Sequence, residues 1–195
     1  MTDGAWPNGL DTAVLDTMVS ARSDALTAVV RGVTTVGNTV SLIVIATIGV
    51  LFLLRRGRRA WAGYCAATSL LAWGLMAGLK VLFGRERPPI PPRLVEIDSL
   101  SFPSGHALNS MVVLGVLAVA AAGTTGRRWP LVAALVGSFA IGMSRVYLAA
   151  HWMTDVLAGW AIGALLVLIG YAALRFTSGR AGRPGPRAGP PAAAG

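Results

Sequence analysis

Residues 154–174 read TDVLAGWAIGALLVLIGYAAL, and Asp155 is the one charged side chain among them. A helix of roughly 20 mostly apolar residues crosses a bilayer, so this stretch has the length and composition of a membrane span. Four earlier runs approach or reach that length, at about 36–54, 60–83, 107–123 and 131–147. The sequence therefore predicts an all-α, polytopic transmembrane helical bundle of about five spans.

The composition agrees with this fold class. Of 195 residues, 54% are hydrophobic and 13% are charged, which is too apolar for an ordinary soluble protein of this size. Cys65 is the one cysteine and lies inside the second run, so the sequence predicts no disulfide framework. The first residues lack the basic segment and apolar core of a cleavable signal peptide.

The charged residues predict the orientation of the bundle. Ten of the 17 basic residues lie at 55–59, 127–128 and 175–187, which five spans place on one side of the membrane, and all eight acidic residues fall on the other side. Because cytoplasmic loops carry an excess of Lys and Arg, we expect the basic clusters and the C-terminus in the cytoplasm. The clusters are not interleaved with aromatic residues, so we interpret them as topology signals and expect no nucleic-acid partner.

The chain divides into three predicted segments. Residues 1–38 are expected to form a lead-in and an amphipathic helix on the outer leaflet, with a helix packed against the bundle as the alternative. Residues 39–176 form the predicted membrane domain, and 177–195, which lack large apolar side chains, are expected to be a disordered cytoplasmic tail. The Arg, Ala, Gly and Pro bias favours a GC-rich bacterial genome and hence a bacterial plasma membrane.

Three short stretches hold every Lys and His of the chain. They are KVLFGRERP at 80–88, PSGH at 103–106 and SRVYLAAHWMTD at 144–155. A chain that otherwise uses arginine for positive charge thus concentrates its titratable bases at the predicted outer ends of its spans. We interpret the three stretches as parts of one site.

His151 and Asp155 are four residues apart at the start of a predicted helix, so they share a face. A carboxylate that holds one ring nitrogen fixes the histidine tautomer and leaves the other nitrogen as a nucleophile. The structural alternative is a His and Asp pair that caps the last span. Ionisable groups at membrane depth are costly and are usually functional, which favours the first interpretation.

The other charged and polar candidate residues have the chemistry of a site that binds an anion. Ser104, Gly105 and His106 open a predicted helix, whose first N–H groups form an anion site; an ordinary helix cap is the alternative. Lys80, Arg87 and Arg145 supply three positive charges, and two arginines can grip a phosphate, although each alone could be a base that reaches the interface. No cluster of carboxylates surrounds them, so the sequence predicts no metal and no cofactor.

These motifs resemble the three-part signature of the type 2 phosphatidic acid phosphatase superfamily. Lys80 is followed by six residues and Arg87-Pro88, PSGH follows, and Ser144-Arg145 precede His151 and Asp155 by the family's spacing. The resemblance implies that His151 attacks phosphorus to give a phosphohistidine while Asp155 orients it.

The resemblance also implies roles for the other motif residues. His106 would protonate the departing oxygen and then activate water. The implied phosphate-binding residues are Lys80, Arg87, Ser104, Gly105 and Arg145. The family needs no metal ion.

The expected function is therefore an integral membrane lipid phosphatase at the outer face. Its substrate would be a phosphomonoester or pyrophosphate lipid, with undecaprenyl or decaprenyl pyrophosphate or phosphatidic acid as the leading candidates. The alternative is a binder or transporter of anionic lipids that uses the same basic site without catalysis. The superfamily also includes soluble vanadium haloperoxidases, which five apolar spans disfavour. The sequence makes no prediction of the oligomeric state.

Overall fold

The computed structural model describes residues 7–89 and 93–181, and within these ranges the chain forms seven α-helices and no strand. The all-α prediction is therefore confirmed. The helices are α1 Gly9–Ser20, α2 Asp24–Val36, α3 Thr39–Arg55, α4 Arg59–Phe83, α5 Gly105–Thr125, α6 Trp129–Tyr147 and α7 Met153–Ala181.

Four of these helices, α4 to α7, are long and apolar enough to cross a membrane. The first predicted span corresponds to α3, which has 17 residues. The pair α2 and α3 passes the same test together, with a bend of 50° between them. The described residues thus provide four spans, or five if the bent pair is one broken span.

Helix α5 packs against α3, α4, α6 and α7, and its residues Leu108, Val112 and Val116 belong to the main core cluster. The crossing of α5 and α7 is unusually close. A Cβ atom at Gly159 would lie 2.9 Å from the carbonyl oxygen of Ser104, and one at Gly163 would lie 2.9 Å from that of Leu108. Glycines four residues apart let membrane helices approach to backbone contact. This contact sets the start of α7 against the start of α5.

The predicted N-terminal helix is in fact two helices, α1 and α2. The break falls around Arg22, whose guanidinium donates hydrogen bonds of 2.6 Å and 3.1 Å to the carbonyl oxygen of Tyr147. The Ser23 hydroxyl then caps α2 by accepting from the Leu26 N–H. Helix α1 packs against α6 and α7, and α2 packs against α6; the placement of this segment on the outer leaflet remains a prediction.

The ends of the chain extend beyond what the structure describes. Helix α7 continues to Ala181, so residues 177–181 of the predicted tail are helical. Residues 182–195 of that tail and residues 1–6 of the predicted lead-in lie outside the described residues. The proposed boundaries at 38 and 176 remain predictions.

Candidate active site

His151 and Asp155 meet where the turn after α6 enters α7. The Nδ1 atom of His151 lies 3.4 Å from Oδ2 of Asp155, and both side chains are buried. Ala149, with φ of 52°, provides the tight turn that precedes them. The i, i+4 spacing thus produces the predicted pairing.

The Asp155 carboxylate is fully hydrogen-bonded. Its Oδ2 atom accepts from the Ser101 hydroxyl at 2.5 Å and from the Trp152 N–H at 3.0 Å, and its Oδ1 atom accepts from Arg85. The Trp152 bond means that Asp155 also caps α7. The Asp155 side chain therefore both caps α7 and lies in position to orient His151.

Arg87 determines which nitrogen of His151 carries the lone pair. Its Nη1 atom lies 3.0 Å from Nε2 of His151. A guanidinium only donates, so Nε2 must accept, and the ring proton is on Nδ1 beside Asp155. Burial first, and then the charge of Arg87, lower the pKa of His151 to about 3. The ring is therefore neutral at neutral pH and has the form of a nucleophile.

His151 lines a cavity of about 280 Å³. Six of the residues that line it belong to the predicted site: Lys80, Arg87, Gly105, His106, Arg145 and His151. Asn109, which the sequence reasoning missed, also faces the cavity, and its Oδ1 atom has no hydrogen-bond partner among the described residues. The fold thus gathers the three distant motifs around one space.

Neutral groups hold the three cations of the cavity. Lys80 donates to the Leu100 carbonyl, and Arg87 donates to the carbonyl oxygens of Ser99 and Ala150, each at 2.6 Å. Arg145 donates to the Thr34 hydroxyl at 2.7 Å.

These cations keep their charge available for a ligand. Within residues 7–89 and 93–181, no carboxylate lies at salt-bridge distance from Lys80, Arg87 or Arg145. Burial lowers the pKa of Arg87 to about 10, so it is still charged at neutral pH. The positive charge can therefore be compensated by an anion in the cavity.

Ser104 occupies a different place from the other predicted phosphate ligands. It is buried and is the N-cap of α5, where its hydroxyl accepts from the Ala107 N–H at 3.5 Å. It is not among the residues that line the cavity. Its predicted role in phosphate binding remains a prediction, whereas its predicted role as a cap is observed.

Asp11 and Arg85 are buried charged residues that the sequence reasoning did not assign to the site. Arg85 lies inside the first motif, between Lys80 and Arg87, and nothing in that spacing distinguishes it. Asp11 lies at the start of α1, where an acidic residue is common. Only the packing of α1 on α7 reveals that these two residues approach Asp155.

The sequence profile of the PAP2 superfamily matches residues 59–178. The chain belongs to this superfamily. The matched segment runs from the start of α4 to α7 and contains all three motifs around the cavity. The resemblance inferred from the motifs is therefore confirmed, and the chain is a membrane PAP2 phosphatase that acts on lipid phosphate substrates.

Two curated relatives cover most of this PAP2 chain. Phosphatidylglycerophosphatase B of Bacillus subtilis is 35% identical over 171 residues, which are 82% of this chain and 80% of the relative. Decaprenylphosphoryl-5-phosphoribose phosphatase of Mycobacterium tuberculosis is 32% identical over 164 residues, which are 81% of this chain and 86% of the relative. Both are named as phosphatases.

A solved structure has the same fold. The transmembrane PAP2 type phosphatidylglycerolphosphate phosphatase of Bacillus subtilis superposes with a TM-score of 0.78 at 29% identity, covering 85% of each chain. This similarity confirms the transmembrane helical architecture of the PAP2 chain.

Proposed function

We propose that this PAP2 phosphatase hydrolyses a phosphomonoester on the polyol headgroup of a membrane lipid, through a phosphohistidine on His151. The observation that carries the proposal is that His151, whose Nε2 atom lies 3.0 Å from Nη1 of Arg87, lines one cavity together with Lys80, Arg87 and Arg145. The two relatives that span most of the chain are named for phosphatidylglycerophosphate and for a 5-phosphoribose lipid. Both names favour a phosphate on a glycerol or a ribose.

The reaction has two steps. The Nε2 lone pair of His151 attacks phosphorus, the bond to the lipid oxygen breaks, and His106 gives that oxygen a proton. Water then attacks the phosphorus of phosphohistidine, His106 takes its proton, and inorganic phosphate leaves with Nε2 restored. Asp155 accepts the Nδ1–H bond and stabilises the positive charge that the ring gains in the first step and loses in the second.

The cations supply the electrostatic part of catalysis. Lys80, Arg87 and Arg145 exchange their neutral hydrogen-bond partners for the phosphoryl oxygens, whose charge increases toward the transition state. The Gly105 N–H, at the first turn of α5, adds a donor at the positive end of a helix. Ser104 supports the site by holding that helix start in place.

The test is a panel of lipids presented to detergent-purified protein, with released phosphate as the readout. It includes phosphatidylglycerophosphate, a polyprenyl phosphoribose 5-phosphate, phosphatidic acid and undecaprenyl pyrophosphate. We expect the highest kcat/KM on the two polyol phosphates and a loss of at least about 1,000-fold in His151→Ala.

Other results would contradict the proposal. Preference for the pyrophosphate would overturn the substrate class. Tight binding of these lipids without phosphate release would favour the non-catalytic lipid binder. Retained turnover in folded His151→Ala would refute the nucleophile assignment.

A further inference from the structure

A buried chain of charges connects the N-terminal helix to the nucleophile. Oδ2 of Asp11 lies 2.7 Å from Nη2 of Arg85, and Nη1 of Arg85 bonds Oδ1 of Asp155. Both carboxylates have no exposed surface, and the Arg85 side chain is 6% exposed. Charges at this depth are kept only when they are paired and hydrogen-bonded.

Thr154 links Asp11 to Arg85 a second time. Its N–H and its hydroxyl each lie 2.9 Å from Oδ1 of Asp11, and its hydroxyl is 2.8 Å from Nη1 of Arg85. The guanidinium carbon of Arg85 also lies 5.6 Å from the centroid of the Trp152 ring. The guanidinium is thus fixed on three sides, by Asp11, by Asp155 with Thr154, and by Trp152.

The two oxygens of Asp155 have different tasks. Oδ1 bonds Arg85, whereas Oδ2 lies toward His151 and accepts from Ser101 and Trp152. The charge of Arg85 is shared between two carboxylates, so it does not fully neutralise Asp155. Because interactions between buried charges are weakly screened, Asp11 changes how much negative charge Asp155 presents to His151.

We propose that Asp11 and Arg85 are positioning residues. They hold the Asp155 carboxylate beside Nδ1 of His151 and set the negative charge that this carboxylate presents to the imidazole ring. Asp11 lies outside the segment that the superfamily profile matches, so α1 completes the site from beyond that domain. The inference rests on the proposed role of His151 as the nucleophile.

Two substitutions change the negative charge that Asp155 presents to His151 in opposite directions. Asp11→Asn keeps the shape of the side chain but removes one of the carboxylates that bond Arg85, so more of the Arg85 charge acts on Asp155 and the positive ring formed during attack is less stabilised. Arg85→Gln removes the cation, so Asp155 presents its full charge to His151 and the protonated ring is favoured. The other charged and titratable groups around His151 are Lys80, Arg87, Arg145 and His106, and neither substitution changes them.

The experiment measures kcat, KM and the acid limb of kcat/KM on the best lipid substrate. The matched control is Asp16→Asn, which makes the same charge change on the exposed face of α1. We expect Asp11→Asn to lower kcat by about tenfold and to change KM by no more than about twofold. The loss is comparable to that seen in metal enzymes when a carboxylate that orients a ligating histidine is removed. The acid limb should move to lower pH in Asp11→Asn and to higher pH in Arg85→Gln, by about one pH unit.

A purely structural role would lower thermal stability without moving the acid limb, and that result overturns the inference. So does an Asp11→Asn variant that matches Asp16→Asn in kcat. If Arg85→Gln does not fold, Arg85→Lys tests the inference instead. Lysine keeps the positive charge but lacks the planar guanidinium that donates to two carboxylates at once. Its acid limb should stay at the wild-type position, and a limb that moves contradicts the proposal. A wild type that releases no phosphate would refute the proposed function instead.

Discussion

Nη1 of Arg87 donates to Nε2 of His151 over 3.0 Å. The same guanidinium is held by the Ser99 and Ala150 carbonyl oxygens, so it is fixed beside the proposed nucleophile. Binding of substrate must redirect this donor toward the phosphoryl oxygens. Arg87 thus both keeps the ring neutral and prepares the anion site.

The first prediction concerns the pH dependence of Arg87→Gln. Burial and the Arg87 charge lower the pKa of His151 to about 3, so the wild-type ring is neutral at pH values above that. Burial, the larger cause, is unchanged in the variant, so removing the cation raises this pKa only part of the way toward its ordinary value of about 6.5. The ring then becomes protonated, and inactive, at a higher pH than in the wild type. We expect the acid limb of kcat/KM to move upward and KM to rise.

Profiles of both proteins on one substrate check this prediction, because the ionisation of the substrate is then common to both. Arg93→Gln is the control, since Arg93 lies in the same loop and donates to the Ile97 carbonyl. An unchanged acid limb in Arg87→Gln would show that this cation does not act on the histidine.

The sequence predicted those parts of the site that depend on local spacing. Asp155, in the first turn of α7, reaches back to His151, which lies two residues before that helix begins, and Ser104 caps α5 because it precedes Gly105 at a helix start. The sequence also singled out Lys80, Arg87 and Arg145 as cations for an anion site, and the fold brings them to the same cavity.

The sequence could not predict contacts that only tertiary packing creates. Asp11 and Arg85 are 74 residues apart, and neither has a spacing that connects it to Asp155. Arg22 interrupts the apolar stripe of the predicted N-terminal helix, but the stripe resumes beyond it, so one helix was predicted where there are two. At the break, the Arg22 guanidinium donates to the Tyr147 carbonyl oxygen, which lies on another helix.

A second prediction concerns metal ions. Among the residues that the structure describes, no group of three or more His, Cys, Asp or Glu side chains could hold one, and the guanidinium and ammonium groups provide the positive charge that phosphoryl transfer needs. Activity should survive EDTA, and vanadate should inhibit it by occupying the phosphoryl site. Activity that disappears on chelation and returns with Mg²⁺ would contradict the metal-free mechanism.

A third prediction tests the orientation. Cys65 is buried, so a Cys65→Ala background allows one cysteine to be placed in either exposed loop. We expect Glu96→Cys, in the loop before α5, to react with a membrane-impermeant maleimide in intact cells. Arg58→Cys, between α3 and α4, should react only after the membrane is opened. The reverse pattern would place the active site in the cytoplasm.

A fourth prediction concerns the close crossing of α5 and α7. In Gly159→Ala the new methyl group meets the Ser104 carbonyl oxygen at 2.9 Å, and backbone cannot move aside as a side chain can. The start of α5 must shift away from Asp155, so both stability and kcat should fall, with a stability cost of about 1–3 kcal/mol. Gly78→Ala, which meets nothing within 4 Å, is the matched control. Equal melting temperatures for the two variants would exclude this account.

The last prediction uses Gly37, at the bend between α2 and α3, to test the role of His106. A Cβ atom at Gly37 would lie 2.3 Å from Cγ2 of Ile141 and 3.1 Å from Cδ2 of His106. Ile141 is buried and β-branched, so its χ1 angle has little freedom. We therefore expect Gly37→Ala to displace the imidazole of His106.

The displacement should slow the step that needs a proton donor. The kcat of Gly37→Ala should fall by about 10-fold to 100-fold on an alkyl phosphate lipid, whose leaving oxygen needs a proton, and much less on p-nitrophenyl phosphate, whose leaving group departs as a stable anion. Gly32→Ala, on α2 with nothing within 4 Å, should match wild type on both substrates. Equal losses on both substrates would mean that the bend disturbs phosphate binding rather than the general acid, and would refute the role assigned to His106 in this variant.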